Sequence, residues 1–426
     1  MTTSSTDGSS SRLSNDFWLL WVGQTISSTG SSFTLFALPL LTFKLTGSAI
    51  SLSLNTAAGF LPYLLLGLVI GAWVDRVKRR QFMIVTDLAR AVVIASIPLL
   101  FFLHMLVVWW IYVVSFVATT FSIGFNASEF AAIPKLVKRD DLVTANGRLQ
   151  ASFSAGTIIG PLLAGLLVAV MPLPEVLLFD ALSFLISALS LALIKTSFNS
   201  SEAEGKPRTS LGQAVVEGLR YVLGHPVLRA IALMLALVNL VGTTTGTQLV
   251  LFAKHQLQAS DTQVGLFYTA GSVGIVLLSL AAGPLRKRLS FSVVAMGALM
   301  LDGLLIVAMS LTNIYWLALF FWLLISGLSI LFNINVGSLR QTIVPDQMLG
   351  RVMTSASVLA WSAIPLGTVI GGIVVNQVKN VALVYAAIGV VMFLLACSFS
   401  FSAVGHAGRY LPQTQPAPVP EEDQTG

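Results

Sequence analysis

The chain has 426 residues, of which 55% are apolar and 10% charged, and its mean hydropathy is +0.86. Soluble domains carry roughly 25% charged residues, so this chain lacks the charge to cover a water-facing surface, and a soluble enzyme is excluded. Its net charge of +6 does not indicate nucleic acid, because nearly all Lys and Arg lie at the ends of apolar runs.

Residues 1–16 are polar and rich in Ser and Thr. They lack the basic-then-apolar pattern of a secretory leader and read as a cytoplasmic tail before an uncleaved first span. Apolar runs then predict twelve helices, over 17–42, 48–72, 82–103, 108–132, 150–171, 175–195, 226–252, 262–285, 289–311, 314–338, 351–375 and 381–404. A span needs about 20 apolar residues, so twelve account for most of the apolar fraction. Open strands are excluded, since their edges would leave backbone groups unpaired in hydrocarbon. The expected fold is an all-α integral membrane protein of two six-helix bundles, 17–195 and 226–405.

Between the bundles, 196–225 is the longest hydrophilic interruption. Its stripe of Leu211, Val215, Leu219, Val222 and Leu223 predicts an amphipathic helix lying against the membrane or the bundle. Residues 406–426, with four prolines beyond 406 and a Glu-Glu-Asp cluster, read as a disordered tail. With the N-terminus inside, 21 of the 24 Lys and Arg fall on the cytoplasmic side, leaving only Lys44, Lys254 and Lys379 outside. That bias places both termini in the cytoplasm, and a cell (plasma or inner) membrane is the expected location. Cys397 is the single cysteine, which rules out an intrachain disulfide and a Cys metal cluster.

The halves echo each other. Gly156-Thr157-Ile158-Ile159-Gly160 opens the fifth span and Gly367-Thr368-Val369-Ile370-Gly371 the eleventh. Each follows a basic loop with a proline (Pro134, Pro345) and a Gly-Arg pair (Gly147-Arg148, Gly350-Arg351). Parallel repeats about an axis normal to the membrane put a substrate site between the halves near the midplane.

The run Gly71-Ala72-Trp73-Val74-Asp75-Arg76-Val77-Lys78-Arg79-Arg80 resembles the loop 2–3 signature of the major facilitator superfamily. The run from Gly156 through Gly160, Pro161, Ala164 and Gly165 resembles that superfamily's export-associated motif, with Ala164 in place of a glycine. Leu45-Thr46-Gly47-Ser48, Ile133-Pro134, Ala145-Asn146, Glu217-Gly218, Arg220-Tyr221 and His225-Pro226 are similar to its macrolide-efflux and enterobactin-exporter-like branch. The resemblance covers 15–405 and implies the twelve-helix major facilitator fold and drug:proton antiport. Two departures stand out: Gly30-Ser31 lacks the acidic residue that branch often carries in the first span, and Gly283-Pro284 with Arg286, Lys287 and Arg288 lacks an Asp-Arg pair.

Gly71 permits close helix approach, and Asp75 is expected to dock on the positive N-terminal end of the eleventh span near Leu349–Arg351. Arg76 and Arg80 would tie the loop to acids such as Asp87; Arg79 completes the basic set. The plainer alternative is an inside anchor. In the fifth span, Gly156, Gly160 and Gly165 lie along one face and Pro161 removes a backbone donor, which suits either a gate at the domain interface or ordinary small-residue packing. Carboxylates inside spans mark function. The expected order of proton sites is Asp302, then Glu129, then Asp180; Glu129 could instead cap Lys135, Asp180 could be interfacial, and Asp87 with Arg90 reads as a structural pair. Gln24, Asn55, Asn126, Asn239, Gln248, Asn333, Asn335 and Trp361, with Phe33, Phe36 and Phe125, are candidates for a weakly charged cavity, or for glue between helices.

The chain has no phosphate loop for an ATP motor and no metal-ligand cluster, so no cofactor is expected beyond a proton gradient. The expected protein is not an enzyme but a monomeric secondary transporter that exports small amphiphilic drug, macrolide or siderophore-like molecules, with lipid, substrate and protons as its partners and no nucleic acid. An importer of the same fold, or a non-transporting sensor or partner protein, is the alternative.

Overall fold

A computed structural model describes residues 13–74, 77–138, 141–198, 211–345 and 348–406. These residues form helices and connecting turns, with no strand among them. In chain order the helices are α1 (Asn15–Thr46), α2 (Ala49–Leu65), α3 (Gly67–Val74), α4 (Arg79–Phe102), α5 (Val108–Leu136), α6 (Leu142–Leu167), α7 (Leu173–Leu193) and α8 (Leu211–Gly224). They continue with α9 (Pro226–Thr247), α10 (Leu249–His255), α11 (Asp261–Arg288), α12 (Phe291–Leu311), α13 (Tyr315–Ile343), α14 (Leu349–Trp361), α15 (Ala363–Val378) and α16 (Val381–Ser400). Among the described residues, eleven segments are long and apolar enough to cross a bilayer, and α2 followed by α3 makes the twelfth crossing.

Three of the twelve expected spans are interrupted rather than continuous. The second breaks at Leu66, whose N–H bonds back to the Pro62 carbonyl; Pro62 lacks a donor and Gly67 follows, so the helix has little holding its last turn. The seventh breaks at Gln248 and the eleventh at Ser362. Elsewhere local chemistry sets the ends. Ser14 caps α1 by accepting from Phe17 N at 3.1 Å, and α1 stops at Gly47, which takes a left-handed φ of 61° that costs glycine nothing. Ser260 and Gln263 form a reciprocal capping box on α11. His225 caps α9 through Nδ1, which accepts from Leu228 N at 3.4 Å. Burial lowers the His225 pKa, which keeps that nitrogen free to accept.

Hydrogen bonds gather one end of the first bundle. Asp16 accepts from Lys195 N and Thr196 N, Ser14 Oγ donates to the Leu136 carbonyl, and Trp21 Nε1 donates to the Arg148 carbonyl. This end carries the basic loops. In α8, Val222 is buried against Leu228, Val344, Val352 and Ala356 of the second bundle, whereas Leu223 of the predicted stripe is exposed. Residues 1–12, 199–210 and 407–426, with Asp75 and Arg76, lie outside the described residues, as do the tails and most of the linker that the sequence predicts.

The duplication shows in packing. A Cβ at Gly156 or Gly160 would meet α1 (Ser28 and Thr29 backbone at 3.3 Å, Ser32 Cβ at 2.3 Å), and one at Gly165 would meet α11 (Gly265 Cα at 3.3 Å). The second half repeats this: a Cβ at Gly367 would lie 2.2 Å from the Leu240 carbonyl, one at Gly371 would lie 1.9 Å from Thr244 Oγ1 in α9, and one at Gly372 would lie 2.2 Å from Ser53 Oγ in α2. Each glycine-rich helix therefore wedges between the first helix of its own half and a helix of the other. That exchange is what a pseudo-twofold requires.

Candidate functional site

The halves meet at the end opposite the basic loops. Lys44 pairs with Asp261, which Lys254 also grips at 2.6 Å. Thr262 Oγ1 donates to the Gly165 carbonyl at 2.8 Å, and Gln248 Nε2 donates to the Ala49 carbonyl and to Ser53 Oγ, both at 2.9 Å. Deeper in, Ser272 Oγ donates to the Thr157 carbonyl at 2.7 Å. Pro161 has no N–H, so Thr157 loses its ordinary partner one turn on, and Ser272 of the other half takes up the acceptor. Gly165 thus brings α6 close to α11 and offers its own carbonyl there, while Pro161 frees a second carbonyl deeper in.

Below this seal lies a run of adjoining cavities. The largest, about 680 Å³, is walled by the first half and lined by Gln24, Asn126, Glu129 and Arg90. It shares Ser31, Leu35 and Arg90 with a cavity of about 320 Å³ that holds Asn55 and Asp180. That cavity shares Leu35, Pro39, Thr56 and Phe60 with one of about 470 Å³ between the halves, which reaches Asn239 and Asp302. Asn333 lines a small chamber beyond Asp302.

Most sequence-derived candidates therefore converge, with corrections. Gln248 is not a cavity residue: it is fully buried, and its amide is committed to α2. Asn335 is buried and bonds to the Leu331 carbonyl of its own helix. Phe36 packs edge-on against Tyr268 across the halves, at 5.9 Å between centroids, and Phe33 against Phe179 at 6.0 Å. Trp361 is exposed and meets Tyr63, also across the halves, at 6.3 Å. Gly71 lies in α3, and the expected docking of Asp75 and Arg76 falls outside the described residues. Arg80 does not reach Asp87. Its Nε donates to the Leu191 carbonyl at 2.8 Å and its Nη2 to that of Ala192, while Arg79 Nη1 donates to the Phe198 carbonyl at 3.2 Å. The last carbonyls of a helix have no intrahelical donor, and a planar guanidinium fits two of them.

The wall is also more charged than expected. Arg90, read from the sequence as half of a structural pair, does pair with the fully buried Asp87. It also lies over the Phe125 and Phe184 rings at 4.6 and 4.3 Å and lines two cavities. The absence of any second acid one turn away to satisfy Arg90 fully was the available signal. Asp180 is not interfacial but 1% exposed. Its carboxylate accepts from Thr34 Oγ1, from Ser183 Oγ at 3.3 Å and from Ser31 Oγ at 3.4 Å. Asp180 of α7 thus lies beside Ser31 of the first span. Gly30 allows the approach, since a Cβ there would lie 2.2 Å from Ser183 Oγ. Asp302 Oδ1 is buried without a partner.

Comparison with known proteins agrees with this architecture. The chain is 29% identical over 361 residues to the multidrug efflux pump Tap of Mycolicibacterium fortuitum, covering 80% of this chain and 85% of that one. It is 25% identical over 371 residues to macrolide efflux protein A of Streptococcus pyogenes, covering 85% and 90%. Among solved structures it superposes on the nucleoside transporter NupG with a TM-score of 0.71 at 13% identity, covering 93% of this chain and 100% of that one. It superposes on a bacterial homologue of the iron transporter ferroportin in an inward-facing state with a TM-score of 0.70 at 18% identity, covering 92% and 100%. The sequence pattern of the Major Facilitator Superfamily matches residues 20–368. With twelve crossings in two exchanged halves around a shared cavity, the chain is a multi-pass membrane transporter, not an enzyme, and belongs to the Major Facilitator Superfamily.

Proposed function

We propose that this transporter exports small amphiphilic molecules of drug, macrolide or siderophore type by alternating access, driven by proton antiport. One observation carries the reading: two cavities of the first half adjoin one between the halves, below an end closed by cross-half bonds, and the run brings Glu129, Asp180 and Asp302 to its walls. A carboxyl group in such a place can load and release a proton as access alternates. The lining is itself two-faced. Serines, Gln24 and Asn126 cover the first half's wall, while Phe60, Tyr268 and Trp322 line the cavity between the halves, which suits a molecule with a polar and a greasy side. The efflux pumps among the relatives favour export. The positive-inside bias would place the basic end, and both termini, in the cytoplasm of a cell membrane. The cavities would then face the compartment from which an exporter loads. A single chain suffices for this cycle, with no cofactor beyond the proton gradient.

The test is flux into inside-out vesicles under an imposed pH gradient, against a panel of macrolides, dyes and siderophores. Uptake of at least one substrate should collapse when the gradient is dissipated, and should fall tenfold or more in the combined Glu129→Gln, Asp180→Asn and Asp302→Asn variant. Full gradient-driven uptake in that variant would end the coupling proposal, and accumulation in the opposite sense would make the protein an importer.

A further inference from the structure

The second half contains a chamber of about 40 Å³ that opens onto the cavity between the halves, since Asn239, Asp302 and Ser329 line both. A water molecule needs about 10–15 Å³ measured in this way, so the chamber has room for an ion with one or two waters and none for an organic substrate. Its polar lining is Asn239, Asp302, Ser329 and Asn333; the rest is apolar, and no Lys, Arg or His contributes. Asp302 is 5% exposed, and its Oδ1 has no hydrogen-bond partner.

Both amides are turned the same way. Asn239 Nδ2 donates to the Ala360 carbonyl and Asn333 Nδ2 to the Ser329 carbonyl, each at 2.9 Å. Only the nitrogen of an amide can satisfy a carbonyl, which fixes the orientation. Among the described residues nothing donates to either amide oxygen. The chamber is therefore lined by a carboxylate with one unpartnered oxygen, two amides whose nitrogens are committed to carbonyls, and Ser329. A neutral ligand would want matched donors. Oxygen ligands without nitrogen or sulfur suit a hard cation. A single carboxylate balances a single positive charge.

We propose that this chamber binds a sodium ion, which competes with the proton for Asp302. Its role in driving transport rests on the export reading above, but binding itself does not. Because Asp302, Asn239 and Ser329 face the larger cavity as well, ion occupancy would alter the wall a substrate meets.

The experiment measures thermal unfolding of the purified full-length protein at fixed pH in 100 mM sodium chloride against choline chloride of equal ionic strength. Sodium should raise the midpoint by about 2 °C or more, and more sodium should be needed at lower pH. Asp302→Asn should abolish the response. Asn333→Ala keeps the carboxylate and should require about tenfold more sodium, which guards against a misfolded Asp302 variant. Glu175→Gln, in the first turn of α7 in the first half and outside the chamber lining, should respond as wild type. Equal midpoints in the two salts, or a sodium shift that survives Asp302→Asn, would overturn the site. A sodium response without substrate flux in vesicles would leave the site standing and remove only its role in export.

Discussion

Arg80 and Asp180 show how a charge in a membrane protein is read from its acceptors or donors rather than from its sequence neighbours. Arg80 closes the end of α7 by donating to the Leu191 and Ala192 carbonyls. Lysine carries the same charge but cannot hold two carbonyls with one planar fork. Arg80→Lys should lower stability by about 1–2 kcal/mol, seen as a lower unfolding midpoint with unchanged membrane insertion. An unchanged midpoint with lost flux would make Arg80 a moving gate element instead. At this scale the sequence was partly legible. Asp302 and Glu129 stand out because carboxylates in apolar runs are rare. The hydroxyl cage of Asp180 was hidden, because Thr34 lies 146 positions away along the chain. Gln248 was misplaced for a similar reason: a polar residue in a span can face a cavity or clasp a neighbouring backbone, and only the fold decides between them.

Among the elements, α6 joins the halves on one side, as α15 does on the other. Its glycines at 156 and 160 face α1 and that at 165 faces α11. Gly165→Leu should leave insertion intact and force the sealed end apart, since even a Cβ would lie 3.3 Å from both Gly265 Cα and the Thr262 carbonyl. In a Cys397→Ser background with Ser53→Cys, whose site is 1% exposed, an impermeant thiol reagent should label the Gly165→Leu variant at least several-fold faster. Equal labelling would mean that α6 packs there without governing closure. The repeated Gly-Thr-x-Ile-Gly run made α6 and α15 recognisable as counterparts. The breaks at Leu66 and Ser362 were not legible from hydropathy, because apolar residues flank each closely; the break at Gln248 follows the polar run 242–247, which the predicted span passed through.

For the molecule as a whole, the seal is a set of weak, separate fastenings, which is what a cycle of rocking halves needs. The Lys44–Asp261 pair is a surface contact, with Lys44 44% exposed, so it is worth about 1 kcal/mol or less and weakens with salt. Asp261→Lys should set three lysines against each other and speed labelling at Ser53→Cys, and adding Lys44→Asp should restore slow labelling. Failure of the double variant to recover would show that the contact is incidental. The twelve-helix plan and the two halves were legible from hydropathy and charge, because lipid imposes span length on every helix alike. The direction in which the cavities open was not, since both access states share one sequence.

The bond from Ser272 to Thr157 gives the proline an unexpected meaning. Position 161 is usually counted as damage to a helix, a missing rung. Here the missing rung is what leaves a hook for the opposite half, so a stiffer α6 and a firmer closure are rival uses of one oxygen atom. Mending the helix would unfasten the protein.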